Sequence, residues 1–290
     1  MDQLPDAALG AADAMTALPA FEYPPVTEVV VSAQFEPLPK FAIPQMGLLW
    51  QRFRDQYPRT EQHPALPTTV ERLGMRSMAE PKFWVEVEPT VRLWFLNEAG
   101  DQLVQIQSDR FIRNWRRVPS EAGTYPRFYN SILPRFTEDY RAFCAFLKDE
   151  QIGQPVVNQV EVSYINNIVM GDAWHSHGDL GKMFRGWSRD PLIGRAPESI
   201  NLRSSYVIES DTREFLGRLH TVIQSGYRTD PGNAEDEAVF VFTLTARGRP
   251  LGEGEPGMLA FVELAHREIV QSFDKMTTNE AHAIWRKKPV

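Results

Sequence analysis

Thr27-Glu28-Val29-Val30-Val31-Ser32-Ala33-Gln34-Phe35-Glu36 sets Val29, Val31, Ala33 and Phe35 in alternation with Glu28, Ser32, Gln34 and Glu36. Successive side chains of an extended chain point to opposite faces, so this stretch is a strand with one apolar and one polar face. One-sided strands belong to antiparallel sheets that bury a single face. Pro24 and Pro25 lead into the strand, and Pro37 and Pro39 end it. Pro44 then opens a helix, since its missing N–H costs nothing in a first turn. Met46, Leu49, Trp50, Phe53 and Tyr57 keep helical spacing up to Pro58.

Further along, residues 82–88 and 91–96 are aromatic and β-branched, and Asn97-Glu98-Ala99-Gly100-Asp101 reads as a hairpin loop. The partner strand covers residues 102–108 and continues to Trp115. A helix over residues 130–148 carries the stripe Ile132, Leu133, Phe136, Tyr140, Phe143 and Leu147. Residues 156–170 alternate, with Val160, Val162, Tyr164 and Ile168 on one face. A short helix starts at Asp179, strands cover residues 205–209, 214–224 and 238–246, and a long helix covers residues 256–273. A last short helix starts at Thr277, with Glu280 at capping-box spacing.

These elements predict an α+β fold, an antiparallel sheet with long amphipathic helices on one face. Both halves read strand, helix, several strands, helix, which predicts a duplicated β-α-β(n)-α unit, although no residue-level repeat accompanies it. Residues 1–22 are expected to form a flexible arm. Residues 23–290 form a single domain of two similar halves, 23–150 and 151–290. The sheet's other face is the expected place for a ligand.

A hydrophobic fraction of 42% over 290 residues supplies a sizeable core. The net charge of -7 argues against broad binding to duplex nucleic acid or an anionic membrane. The single cysteine, Cys144, excludes an intramolecular disulfide, and its neighbours Phe143, Ala145, Phe146 and Leu147 mark it as buried and inert. No stretch approaches the roughly 18 apolar residues of a membrane helix. The first 21 residues lack the basic start and apolar core of a secretory signal, so a cytoplasmic location is expected.

Several stretches carry a resemblance. Pro24-Pro25-Val26-Thr27-Glu28-Val29 leads into Gln34-Phe35-Glu36-Pro37-Leu38. Gln107-Ser108-Asp109-Arg110-Phe111 is followed by Asn114-Trp115-Arg116 and Tyr125-Pro126, and later by Val162-Ser163-Tyr164-Ile165-Asn166. Together they resemble a sporadically distributed, uncharacterised family of soluble bacterial proteins. The resemblance spans residues 23–285 and implies no activity. A patchy distribution suits genes that travel with mobile or defence cassettes, which is association and not mechanism.

Three functional readings compete. Arg110-Phe111-Ile112-Arg113-Asn114-Trp115-Arg116-Arg117 packs four arginines and two aromatics into eight residues. If extended, it sets Arg113, Trp115 and Arg117 on one face and Arg110, Asn114 and Arg116 on the other. The favoured reading is a non-catalytic binding or regulatory protein without a cofactor, within a bacterial defence or toxin–antitoxin-like cassette. Its recognition surface is Arg110, Arg113, Asn114, Trp115 and Arg116, taking a small anionic ligand or an acidic protein partner. The second reading is nucleic-acid binding through the same segment. The third is a metal-dependent hydrolase using His175, His177 and Asp179, because His-x-His-x-Asp after a strand opens the metallo-β-lactamase-type motif. That motif's next histidine is replaced here by Leu180, and Asp179 also suits capping the short helix. His266 and His282, on helices, read as surface or packing residues.

Overall fold

The computed structural model describes residues 18–72, 91–118, 125–171, 173–187, 194–228 and 236–289. Among the described residues, nine strands form one antiparallel sheet in the order β2-β3-β4-β5-β1-β6-β9-β8-β7. They are β1 (Val26–Phe35), β2 (Arg59–Pro64), β3 (Val91–Leu96), β4 (Gln102–Gln107), β5 (Arg110–Arg116), β6 (Val157–Val169), β7 (Asn201–Glu209), β8 (Phe215–Arg228) and β9 (Glu237–Gly248). The helices are α1 (Ile43–Phe53), α2 (Leu133–Asp149), α3 (Leu180–Met183), α4 (Gly254–Met276) and α5 (Asn279–Ile284).

The alternation of the opening stretch decides which face the helices cover. Val29, Val31, Ala33 and Phe35 of β1 are all buried, and Phe35 meets Phe143 of α2 at a ring distance of 5.8 Å. Across the sheet the same face receives α1 through Phe53 against Phe95, α2 through Phe136 against Phe111, and α4 through Phe273 against Phe242. One apolar layer thus lies between the sheet and the helices, and burial of such aromatic side chains contributes most of the stabilisation. Gly248 lies close under α4: a Cβ there would lie 2.4 Å from the Phe261 ring and against the Leu216 carbonyl.

The polar side of β1 faces away from the helices. The residue row running through Trp94, Gln105, Ile112, Ser32, Glu161, Arg247 and Arg218 crosses seven neighbouring strands on this side. Among the described residues, no helix is long and apolar enough to cross a membrane.

Several boundaries differ from the sequence reading. The segment expected to run unbroken from residue 102 to Trp115 is a hairpin, β4 and β5 paired as Gln107 with Arg110 around Ser108 and Asp109. No Gly, Pro or Asn-Gly pair announces that turn. β2 was not expected, since Arg59-Thr60-Glu61-Gln62-His63-Pro64 is a polar edge strand with no apolar alternation. The strand expected over residues 82–88 lies outside the described residues. α2 is preceded by a π-helical turn, Phe128–Ile132. The last helix is capped by Thr278, whose hydroxyl accepts from the Ala281 N–H, one residue after the expected Thr277. Chain docking also begins before the expected boundary at Tyr23, because Phe21 is buried against Phe273, His282 and Trp285.

Candidate anion site on the open sheet face

After β2 the chain crosses the open face as an extended strap, residues 65–72, and glutamines standing on the strands hold it. Gln107 accepts from the Leu66 N–H and donates to the Leu66 carbonyl, at 2.9 and 3.0 Å. Gln34 makes the same pair with Thr69, both at 3.1 Å. Gln159 accepts from the Glu71 N–H at 3.0 Å. A side-chain amide carries the donor and acceptor of a peptide group, so these residues continue backbone pairing out of the sheet plane. Gln34, Gln107 and Gln159 are consequently buried although they lie on the polar face.

The strap delivers Glu71, 6% exposed, onto β8 and β9. Arg218 donates to Glu71 Oε2 at 2.6 Å. His220 Nε2 lies 2.7 Å from Oε1, and Arg247 Nη1 lies 3.2 Å from the same oxygen. Burial pushes the Glu71 carboxyl up, but hydrogen bonds from His220 and Arg218 and the charges of His220 and Arg247 outweigh it and bring it down to about 2. Arg218 also donates to the Arg72 carbonyl, and Arg247 to Glu161. A cavity of about 330 Å³ borders Glu71, with Phe215, Leu216 and Arg249 in its wall.

The basic character extends toward β3. Burial lowers the Arg110 guanidinium, Asp109 and Glu161 oppose this, and the charge of Arg247 adds to it. Arg92 is likewise lowered by burial and then by the charge of Arg110. Arg110 donates to Gln34 and to the Pro67 carbonyl. Among the described residues, however, the buried donors Arg110 Nε, Arg92 Nε and Trp94 Nε1 have no hydrogen-bond partner. Buried donors are nearly always paired in folded proteins, and these three stand on one face of the sheet.

The five residues expected to form one surface are divided by strand alternation. Arg110, Asn114 and Arg116 face the strap side. There Asn114 bridges Gln105 and Glu28, and Arg116 donates to the Gly100 carbonyl. Arg113 and Trp115 point into the helix layer, 2% and 6% exposed. Arg113 is paired there with Asp139 of α2 at 2.9 Å, and Trp115 meets the Tyr125 ring at 5.7 Å. Among the described residues, the aromatics of this segment, Phe111 and Trp115, are both buried and offer no stacking platform at the surface.

His175, His177 and Asp179 do not converge either. His175 is exposed. The His177 ring is buried, with its nitrogens facing the Glu198 and Val239 carbonyls at 3.1 and 3.3 Å. Asp179 accepts from the His175 and Ser176 N–H groups and pairs with Lys182. Its carboxylate thus ties back the loop before it and makes no forward cap on α3. Among the described residues, no three His, Cys, Asp or Glu side chains gather to hold a metal ion.

Sequence reading missed Glu71, Arg218, His220 and Arg247. The only signal available was alternation in β8 and β9, which sets Arg218, His220 and Arg247 on a common polar side but says nothing of the strap. No family model, no curated protein and no solved structure matches the chain, so the resemblance of its quoted stretches carries no family assignment and the reading of this site rests on its own geometry.

Proposed function

We propose that this chain is an anion-binding protein whose recognition surface is the open sheet face, centred on Arg218, His220 and Arg247 and reaching Arg110 and Arg92. One observation carries the reading: the cluster already holds a buried carboxylate, that of Glu71. Arginine and histidine donors converging on two oxygens suit a carboxylate or a phosphate equally. Glu71 is supplied by a strap and not by a strand of the sheet, so an incoming anion can take its place at the cost of a few strap contacts. Among the described residues the buried donors of Arg92, Trp94 and Arg110 have no partner, and they add points of attachment for a larger anion once the strap is displaced.

The ligand is a compact anion, either free or carried on the acidic surface of a protein partner. A duplex polyanion fits poorly, because the remainder of a chain with net charge -7 repels it. The site holds donors, and its carboxylate is spent on them, which supports binding without turnover. A cytoplasmic role within a bacterial defence or toxin–antitoxin-like cassette goes with this reading as a proposal. So does duplication of the fold, supported by β1 lying beside β5 as β6 lies beside β9.

Calorimetric titration with inorganic phosphate tests the site. Glu71→Gln keeps an acceptor oxygen and removes the competing charge, so it should bind phosphate at least about tenfold more tightly than wild type, which is ~1.4 kcal/mol. Arg247→Ala in the Glu71→Gln background should remove the gain. Equal phosphate affinity in wild type and Glu71→Gln, with both folded by near-ultraviolet circular dichroism, would sink the proposal.

A further inference from the structure

On the opposite, helix-covered side of the sheet lies a cavity of about 350 Å³, bounded by residues 18–21, the π-helical turn and α4. Its volume falls in the range of small-molecule pockets, roughly 300–1,000 Å³. Val26, Leu244, Ile269, Val270 and Phe273 supply apolar wall. Into this wall is set a chain of three polar side chains. The Tyr125 hydroxyl lies 3.0 Å from the Tyr164 hydroxyl, which lies 2.9 Å from His266 Nδ1.

The π-helical turn places two rings around that histidine. Phe128 stacks on His266 at 3.9 Å and an interplanar angle of 4°, and Tyr129 meets it edge-on at 5.3 Å. Such turns are rare and concentrate at functional sites. A histidine that read as a packing residue in the sequence therefore has a fixed ring plane and a fixed partner.

Hydrogen counting shows what the chain of three lacks. If Tyr125 donates to Tyr164 and Tyr164 donates to Nδ1, the Tyr125 oxygen is left as an acceptor. If Nδ1–H donates to Tyr164 and Tyr164 donates to Tyr125, the Tyr125 O–H is left as a donor. In either direction one open end is at Tyr125 and the other at His266 Nε2, and a ligand hydroxyl at the Tyr125 end, which both donates and accepts, satisfies both cases there. Burial lowers His266 to about 3 and raises Tyr125 to about 12, so the chain is uncharged near neutral pH. Arg127, which also borders the cavity, is directed at the Phe21 carbonyl. An anion would be desolvated against the apolar wall, with Arg127 the single Lys or Arg among the described residues lining it.

We propose that this cavity binds a small, mainly apolar, uncharged molecule bearing one hydroxyl group, which docks on Tyr125 at the end of the Tyr125–Tyr164–His266 chain. The site is separate from the anion site, on the other face of the sheet.

The test uses the full chain and three probes of one shape: p-cresol, toluene and p-toluate, titrated by ligand-observed NMR. Wild type should bind p-cresol about tenfold more tightly than toluene and more tightly than p-toluate, the first margin being of the size of one well-placed hydrogen bond. Tyr125→Phe removes the docking hydroxyl and leaves the Tyr164–His266 bond in place, so p-cresol should fall to the toluene level while toluene is unchanged. Val270→Trp, at a half-buried wall position, should block both. No binding of p-cresol by wild type, equal binding of p-cresol and toluene, a preference for p-toluate, or an unchanged p-cresol affinity in Tyr125→Phe would each overturn the proposal.

Discussion

A guanidinium 2% exposed, as at Arg113, survives burial only if its charge and donors are met. Asp139 takes Nε, Gln102 takes Nη2, and Tyr57 donates to the same Asp139 oxygen at 2.6 Å. Burial raises the Asp139 carboxyl, against the hydrogen bond from Tyr57 and the charge of Arg113. Removing one member of such a group strands the other, which typically costs about 3–5 kcal/mol. Arg113→Ala should therefore lower the thermal midpoint by on the order of 10 °C, while leaving the affinity of the folded fraction for phosphate unchanged. A midpoint within a degree or two of wild type would show that the pair contributes nothing. Part of this was open to sequence reading: alternation correctly sets Arg113 with Trp115 and apart from Arg110, Asn114 and Arg116. The sequence did not say which side the helices cover at β5. That follows once Arg113 is paired with Val31 of the apolar face, a register no local pattern contains.

At the scale of elements, the strap is the part that sequence reasoning could not see. Strands and long helices announce themselves by period, and β1, α2 and α4 were legible for that reason. Residues 65–72 have no period, because strand side chains and not neighbours on the strap satisfy their backbone. Their attachment ends at Glu71, and this makes it acid-sensitive. The carboxyl lies at about 2 against an ordinary 4.5. Since its folded pKa is the lower, its stabilisation is complete above pH 4.5 and is lost as pH falls toward 2. The difference amounts to roughly 3 kcal/mol. Unfolding free energy followed from pH 6 to 2 should therefore fall more steeply in wild type than in Glu71→Gln, and amide exchange at residues 66, 69 and 71 should accelerate over the same window. Identical acid profiles for the two proteins would contradict the assignment of that carboxylate.

For the whole molecule, the decisive feature is the seam at the middle of the sheet. β1 belongs to the first half and β6 to the second, and they pair along the full length of β1 from Val26 to Phe35. On the helix side the pairs Val31–Val162 and Ala33–Val160 are fully buried. Arg141 of α2 also reaches Glu255 at the start of α4 in a surface pair at 2.6 Å, which contributes little beside the sheet. A boundary between independent domains falls where few contacts cross the chain, whereas here the boundary between the halves is a pair of central strands. Neither half can then open without exposing a strand edge and part of the apolar layer of the other, so both should unfold together. Trp50, Trp84, Trp94 and Trp115 belong to the first half, and Trp174, Trp187 and Trp285 to the second. Urea unfolding of the intact chain should give one transition, coincident by far-ultraviolet circular dichroism and tryptophan fluorescence. Limited trypsin digestion should yield no pair of stable fragments divided near residue 153. Two separated transitions, or such a pair of fragments, would mean that the seam couples the halves more weakly than its register and burial require.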